Sequence, residues 1–191
     1  RDGRFRWERG HFAMKWLGAF MVTFGCAGLG RYWARQWRLR LRWMEQLRQM
    51  MYFLKGEILY GHASLGTALD NVGKRCQKAA GERGYTALPS FFQAVAKRIC
   101  RQEGEAFADI WKEELAFLKG TPLKDEDISA LENMGFHLGY LDLAMQERNL
   151  LLYIEQLDGQ IAYLQMHLRE RTKLYASLGI MGGLFLSVAM L

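Results

Sequence analysis

Two apolar segments lie at the two ends of this chain, and each has its basic residues on the side facing the middle. The first, Met14–Gly30 (MKWLGAFMVTFGCAGLG), runs straight into Arg31, Arg35, Arg38, Arg40 and Arg42. The second, Tyr175–Leu191 (YASLGIMGGLFLSVAML), is preceded by Arg169, Arg171 and Lys173. Lys and Arg beside membrane segments stay on the cytoplasmic face, so both clusters place the intervening residues in the cytosol. The expected layout is a transmembrane helix over 14–34, a cytosolic helical domain over 35–174 and a second transmembrane helix over 175–191. Arg31, Arg35, Arg38, Arg169, Arg171 and Lys173 are then expected at the membrane interface, against lipid headgroups.

A spanning helix usually takes about 20 apolar residues, and each segment offers nearer 16. Arg31 with Tyr32 and Trp33 extends the first by snorkelling and an aromatic belt, and Tyr175 does the same for the second. For the first segment the competing reading is a cleaved signal peptide. No A-x-A-like site follows it, and the charge directly after the apolar core opposes export. Residues 1–13 (RDGRFRWERGHFA) place Arg1, Arg4, Arg6 and Arg9 on the wrong side for this topology. They are expected to be an upstream extension, disordered, with the domain arrangement beginning at Met14.

The chain carries a net charge of +6, which invites a nucleic-acid partner until the charge is located. From Trp43 to Leu168 there are 13 Lys and Arg against 17 Asp and Glu, a net of −4. The positive excess therefore belongs to the membrane flanks and the leader, and no nucleic-acid partner is expected. The 3 cysteines (Cys26, Cys76, Cys100) include no C-x-x-C pair and suit a reducing compartment. Cys76 and Cys100 read as small apolar residues on helices. The 4 histidines have no zinc spacing. There is no Gly-rich phosphate loop and no G-x-S-x-G elbow. No metal, no cofactor and no catalytic residue is expected.

Between the anchors the periodicity is helical throughout. Met44, Leu47, Met51, Leu54 and Ile58 stripe a first helix over about 43–60, unbroken from the anchor and ended by Gly61. Ser64 caps a second, with Leu65, Ala68, Leu69, Val72 and Cys76 on one face. Pro89 and Ser90 start a third. A short fourth after Gly104 carries Phe107, Ile110, Trp111 and Leu115. Lys119-Gly120-Thr121-Pro122 is a stop and a start, and Asp125-Glu126-Asp127 then fall in the first turn of a fifth helix, against the positive end of its dipole. Ile128, Leu131, Met134 and Leu138 are its apolar face. After Gly139, Asp142 is placed to cap a long sixth helix striped by Leu143, Leu150, Ile154, Leu157, Ile161, Leu164 and Leu168. The fold class is all-α: a six-helix cytosolic bundle between the two transmembrane helices, with its outer helices antiparallel. Gly179-x-x-x-Gly183 in the second anchor allows another membrane helix to approach, on a common and weak motif.

Three stretches carry a family resemblance. The first is the anchor followed by an Arg-rich helix, Lys15–Arg40. The second is Gly56-Glu57-Ile58-Leu59-Tyr60-Gly61 with Leu65 and Ala68-Leu69. The third is Leu131–Gln146 (LENMGFHLGYLDLAMQ). Together with the terminal apolar segment they make Met14–Leu191 resemble the stage III sporulation protein AB family, with Leu141 departing from the Ser or Thr that the family favours there. The resemblance implies a helical domain similar to the type II secretion platform protein F. It also implies a part in the channel between mother cell and forespore, on the mother-cell side at the outer forespore membrane. The implied partners are the stage III sporulation protein AA, a secretion-type ATPase held by this adaptor, and other channel subunits, with an oligomer a further possibility. The alternative is a membrane-anchored helical enzyme or scaffold acting on acidic lipid or on another membrane complex.

The partner-binding candidates are Glu57, Tyr60, Gly135, Gly139, Asp142 and Gln146. Each has a competing structural role. Glu57 is either a solvated helix residue or a pair for a basic patch. Tyr60 is either core or contact. Gly135 and Gly139 allow close helix packing or the approach of a partner backbone. Asp142 is a cap or a contact. Gln146, one turn on, is placed to hydrogen-bond back towards the corner.

Overall fold

A computed structural model describes residues 35–81, 86–101, 104–139 and 142–189, with side-chain burial given for all of these except 80, 81, 143 and 169–189. The described residues are all helical or turn. They divide into a compact unit over Leu39–Tyr163 and a second unit made of Arg1–Arg38 and Leu164–Leu191. Of the second unit, 35–38 are helical, with Arg35 and Arg38 exposed, and the last helix continues to Ala189. Residues 1–13 and the first expected membrane segment, 14–34 with Arg31, lie outside the described residues; of the second, 175–191, the backbone is helical to Ala189, and its side chains and those of Arg169, Arg171 and Lys173 are not described. Among the described residues no helix is long and apolar enough to cross a membrane.

Six α-helices and one 3₁₀ turn make up the described chain. Helix α1 covers 35–59, followed by α2 (Leu65–Gly81), α3 (Ala87–Cys100), α4 (Phe107–Leu115), the 3₁₀ turn Ala116–Leu118, α5 (Asp125–Leu138) and α6 (Leu143–Ala189). Within Leu39–Tyr163 the helices pair as three antiparallel couples. Arg48 meets Asp158 at 2.7 Å and Lys55 meets Glu147 at 3.6 Å, so α1 ascends while α6 descends. In the α2–α3 couple, a Cβ on Gly66 would sit 3.3 Å from Ile99, and one on Gly73 would meet Gln93 at 2.7 Å and the Pro89 carbonyl at 3.0 Å. In the α4–α5 couple, Gly135 lies on Trp111 and Gly139 on Phe107.

The core follows the apolar stripes. Met44, Leu47, Met51, Leu54 and Ile58 of α1 are buried, as are Leu150, Ile154, Leu157 and Ile161 of α6. At the centre Trp111 is fully buried, with ring centroids of Phe91 at 4.8 Å, Phe107 at 5.5 Å and Phe92 at 5.9 Å. Edge-on aromatic pairs of this kind add to the area they bury. Cys76 belongs to the core but Cys100 is exposed at the end of α3.

Of the two helix starts near a proline, that of α3 departs from expectation, while α5 has Asp125, Glu126 and Asp127 in its first turn as expected. Helix α3 begins at Ala87, two residues before Pro89, because a proline is tolerated anywhere in the first turn, where no N–H is needed. Helix α5 begins at Asp125, three residues after Pro122. Before it, Thr121 closes a turn by giving both its amide and its hydroxyl to the Leu118 carbonyl, at 3.2 and 2.7 Å.

Candidate functional site

The six partner-binding candidates fall into two groups, and the antiparallel α1–α6 couple brings both to one pole of the Leu39–Tyr163 unit. Lys55, just before Glu57, pairs with Glu147, just after Gln146. The pole is therefore built from the α1–α2 turn and the α5–α6 corner.

At the α1–α2 turn the helix ends by a tightening of its backbone. Tyr60 and Gly61 both donate to the Gly56 carbonyl (3.0 and 3.2 Å), and Ala63 donates to the Glu57 carbonyl (3.2 Å). A Cβ on Gly61 would lie 2.7 Å from that same carbonyl oxygen, so only glycine fits there. The left-handed residue of the turn is His62, at φ 46°. Before the next helix Ser64 Oγ accepts the Thr67 amide at 3.4 Å and so caps α2, and the two hydroxyls share a hydrogen bond at 2.9 Å. Glu57 accepts from the Asn71 side chain at 2.9 Å, tying α1 to α2. Tyr60 is 81% exposed. The core role open to it in the sequence is thus excluded, because the tightened turn directs it away from the α1 stripe.

At the α5–α6 corner the motif residues serve one another. A Cβ on Gly135 would fall 2.1 Å from the Trp111 indole nitrogen, and that N–H donates to the Leu131 carbonyl at 3.0 Å. Gly135 is the seat of the Trp111 ring, and its face is filled from within the chain. Gly139 seats Phe107 in the same way, at 2.8 Å. Asp142 caps α6, its carboxylate accepting the Met145 amide at 2.9 Å. Gln146 reaches back to donate to the Leu138 carbonyl at 2.9 Å, and Asn149 donates to the Met134 carbonyl at 3.2 Å. The Leu138 carbonyl, one of those left orphaned at a helix end, is thus satisfied by a side chain of α6.

Two groups of residues emerge that the sequence did not single out. Phe136 is 54% exposed on the last turn of α5, edge-on to His137 at 5.5 Å between ring centroids. Its signal was present, because it lies out of phase with Ile128, Leu131, Met134 and Leu138. The other group is at the opposite pole. Asp127 is 2% exposed. Its two oxygens take Arg40 Nε and Nη2, each at 2.8 Å, and one oxygen also takes the Lys124 amide at 2.9 Å. Burial and then the Asp127 charge raise the Tyr153 phenol above its ordinary range. Arg40, which in sequence belongs to the membrane-flanking run, is an internal ion-pair partner. Arg98 joins Glu105 (2.6 Å), Glu113 (2.8 Å) and Glu114 (3.3 Å) between α3 and α4, and these carboxylates hold its guanidinium more firmly protonated than usual.

Among the described residues no group of three His, Cys, Asp or Glu side chains is placed to hold a metal ion. A groove of about 1040 Å³ lies beside α1 and α2 and is lined by Arg42, Arg48, Tyr52, Phe53 and Arg75 among others. Two of its arginines are already engaged: Arg48 with Asp158, and Arg75 over the Phe53 ring at 4.0 Å. What the pole offers is chemistry for contact: an exposed tyrosine and an exposed phenylalanine set among carboxylates.

A family model described as Stage III sporulation protein AB matches residues 15–191. Among curated proteins, Stage III sporulation protein AB of Bacillus subtilis (strain 168) is 26% identical over 174 residues, which span 91% of this chain and 96% of that relative. A solved structure of a stage III sporulation protein AB aligns with a TM-score of 0.59 at 23% identity, covering 69% of this chain and 97% of that one, a likeness of fold.

Proposed function

The chain belongs to the stage III sporulation protein AB family, and from that premise we propose that it is a non-catalytic membrane platform of the channel between mother cell and forespore. In this reading 14–34 and 175–191 anchor it in the outer forespore membrane, and the Leu39–Tyr163 unit stands in the mother-cell cytosol. The unit holds a secretion-type ATPase, the stage III sporulation protein AA, by the pole that carries Tyr60. The relatives are named for a sporulation stage and not for a reaction, which supports a role in assembly.

One observation carries the choice of surface. Most of the pole's motif residues are spent on the fold: Gly135 on Trp111, Gly139 on Phe107, Asp142 and Gln146 on helix ends. Tyr60, within the other motif, is 81% exposed and has no such employment. An exposed tyrosine on a hydrogen-bonded turn is the kind of residue that anchors interfaces.

The test is a titration of the cognate ATPase onto the full chain in detergent, with and without nucleotide. Binding at micromolar or tighter is expected, and Tyr60→Ala should weaken it by about tenfold or more without altering the thermal melt. No binding in either nucleotide state would reject the adaptor role in favour of another channel subunit as partner.

A further inference from the structure

Along α6 the inward stripe accounts for half of the helix, and the outward half is not an ordinary solvated face. Met145, Leu152 and Gly159 repeat every seven residues, so they lie on one line along the helix within the Leu39–Tyr163 unit. Met145 is 52% and Leu152 57% exposed, and a Cβ added at Gly159 would meet nothing within 4 Å. Arg148 and Glu155 are both exposed and lie on the same flank of that line. Neither makes an ion pair among the described residues, whereas Asp158 and Glu147 on the flank of α6 towards α1 pair with Arg48 and Lys55.

The spacing has a symmetry. Arg148 and Glu155 stand almost equally far before and after Leu152, and so do Met145 and Gly159. A two-fold axis at Leu152, perpendicular to α6, turns this pattern onto itself with opposite charges opposed. A closed two-fold interface needs this self-complementarity: residue i faces j, and j faces i. We propose that the outer face of α6 is a self-recognition surface on which two copies of this chain pair antiparallel. Leu152 lies on the two-fold axis. Arg148 faces Glu155 of the partner subunit, and Met145 rests over Gly159 of the partner subunit, where the missing side chain leaves room.

Both ion pairs fall on the same flank of the seam, because a two-fold rotation across antiparallel helices keeps each flank on its own side. In a parallel pair the two-fold would run along the seam and carry Arg148 and Glu155 of the partner subunit to the opposite flank, so neither ion pair would form and the charges choose the antiparallel direction. Four helical turns bury less than the roughly 800 Å² per partner of a standard interface. Pairing in dilute solution is therefore weak and depends on concentration. Met145 borders the α5–α6 corner while Leu152 and Gly159 lie further along α6, and the proposal stands whichever partner the pole takes.

The experiment uses the full chain in detergent, followed by sedimentation over a concentration series. Arg148→Glu alone and Glu155→Arg alone should each weaken self-association by about tenfold, since each replaces two attractive pairs by two repulsive ones. The double variant restores opposite charges across the same seam and should return association to the parent level. A second measurement uses Leu152→Cys in a background with Cys26 and Cys100 changed to Ser and Cys76 to Ala. It should form a disulfide-linked dimer with copper-phenanthroline much faster than Thr67→Cys, exposed on α2. Failure of the double variant to recover association, equal cross-linking at the two positions, or a monomer throughout the series would each overturn the proposal. Circular dichroism melts of every variant confirm that the fold is kept.

Discussion

Oδ2 of Asp127 accepts two hydrogen bonds, from Arg40 and from the Lys124 amide, while Oδ1 accepts a third. One carboxylate therefore starts α5 and fastens it to α1. Removing one member of a buried pair leaves the other charged and desolvated, so Asp127→Asn should cost about 3 kcal/mol in urea unfolding. Changing Asp125, exposed one turn-position away, should cost only a few tenths. The sequence shows three adjacent acids and nothing to tell them apart, which is why Asp127 read as a dipole charge. Tyr153 provides a pH signature for the same locality. An unfolded chain releases its phenolic proton near the ordinary value of 10. The folded chain, with the group buried near Asp127, holds it to higher pH. Its contribution to stability is full below pH 10 and declines above it, by up to about 1.4 kcal/mol per pH unit. Tyr153→Phe should remove that decline; parallel denaturation curves of both proteins from pH 9 to 11 would measure the difference.

The α4–α5 couple shows what a glycine can be for. Gly135 gives Trp111 its seat and frees the indole to reach the Leu131 carbonyl. Gly135→Ala should cost at least about 1–3 kcal/mol, the range for overpacking a filled core, because neither the ring nor the helix can yield at 2.1 Å. Gly159 is the contrast. It lies in α6 with open space around it, so Gly159→Ala should raise stability by up to about 1 kcal/mol through helix propensity alone. A shift of the melting midpoint in opposite directions for the two variants would separate packing from propensity. The helices themselves were legible, since stripes at three- and four-residue spacing have no other reading here. The Ser64 and Asp142 caps were legible too, from residue type at the right offset. The start of α5 was legible as well, from the three acids of its first turn; the buried role of Asp127 was not, because it depends on Arg40, 87 residues away. Arg40 was hidden for the same reason: in a run of arginines, only the fold reveals which one turns inward.

For the whole molecule, the hairpin reading of the two apolar ends makes a direct prediction. Deletion of 175–191 should make the chain easier to extract from membranes with alkaline carbonate, and unchanged resistance would reject that segment as an anchor. Family membership was accessible from short motifs, since Leu131–Gln146 joins a ring seat, a cap and a return hydrogen bond in one stretch. The pole's exposed Tyr60 was not, because exposure is a property of how α1 ends and not of the residue.

The pairing of α1 with α6 has a consequence in time. The Arg48–Asp158 contact closes over 110 residues, whereas the α2–α3 and α4–α5 couples close over far fewer. Chains are synthesised at about 5–20 residues per second, so the apolar face of α1 leaves the ribosome some 5–20 s before its partner exists. Through that interval the two inner couples can form from local contacts, while Met44, Leu47, Met51 and Leu54 stay uncovered. Synthesis thus leaves an early-made surface waiting on a late-made one, and α1 is the part of the nascent chain with most need of a chaperone or of the membrane itself.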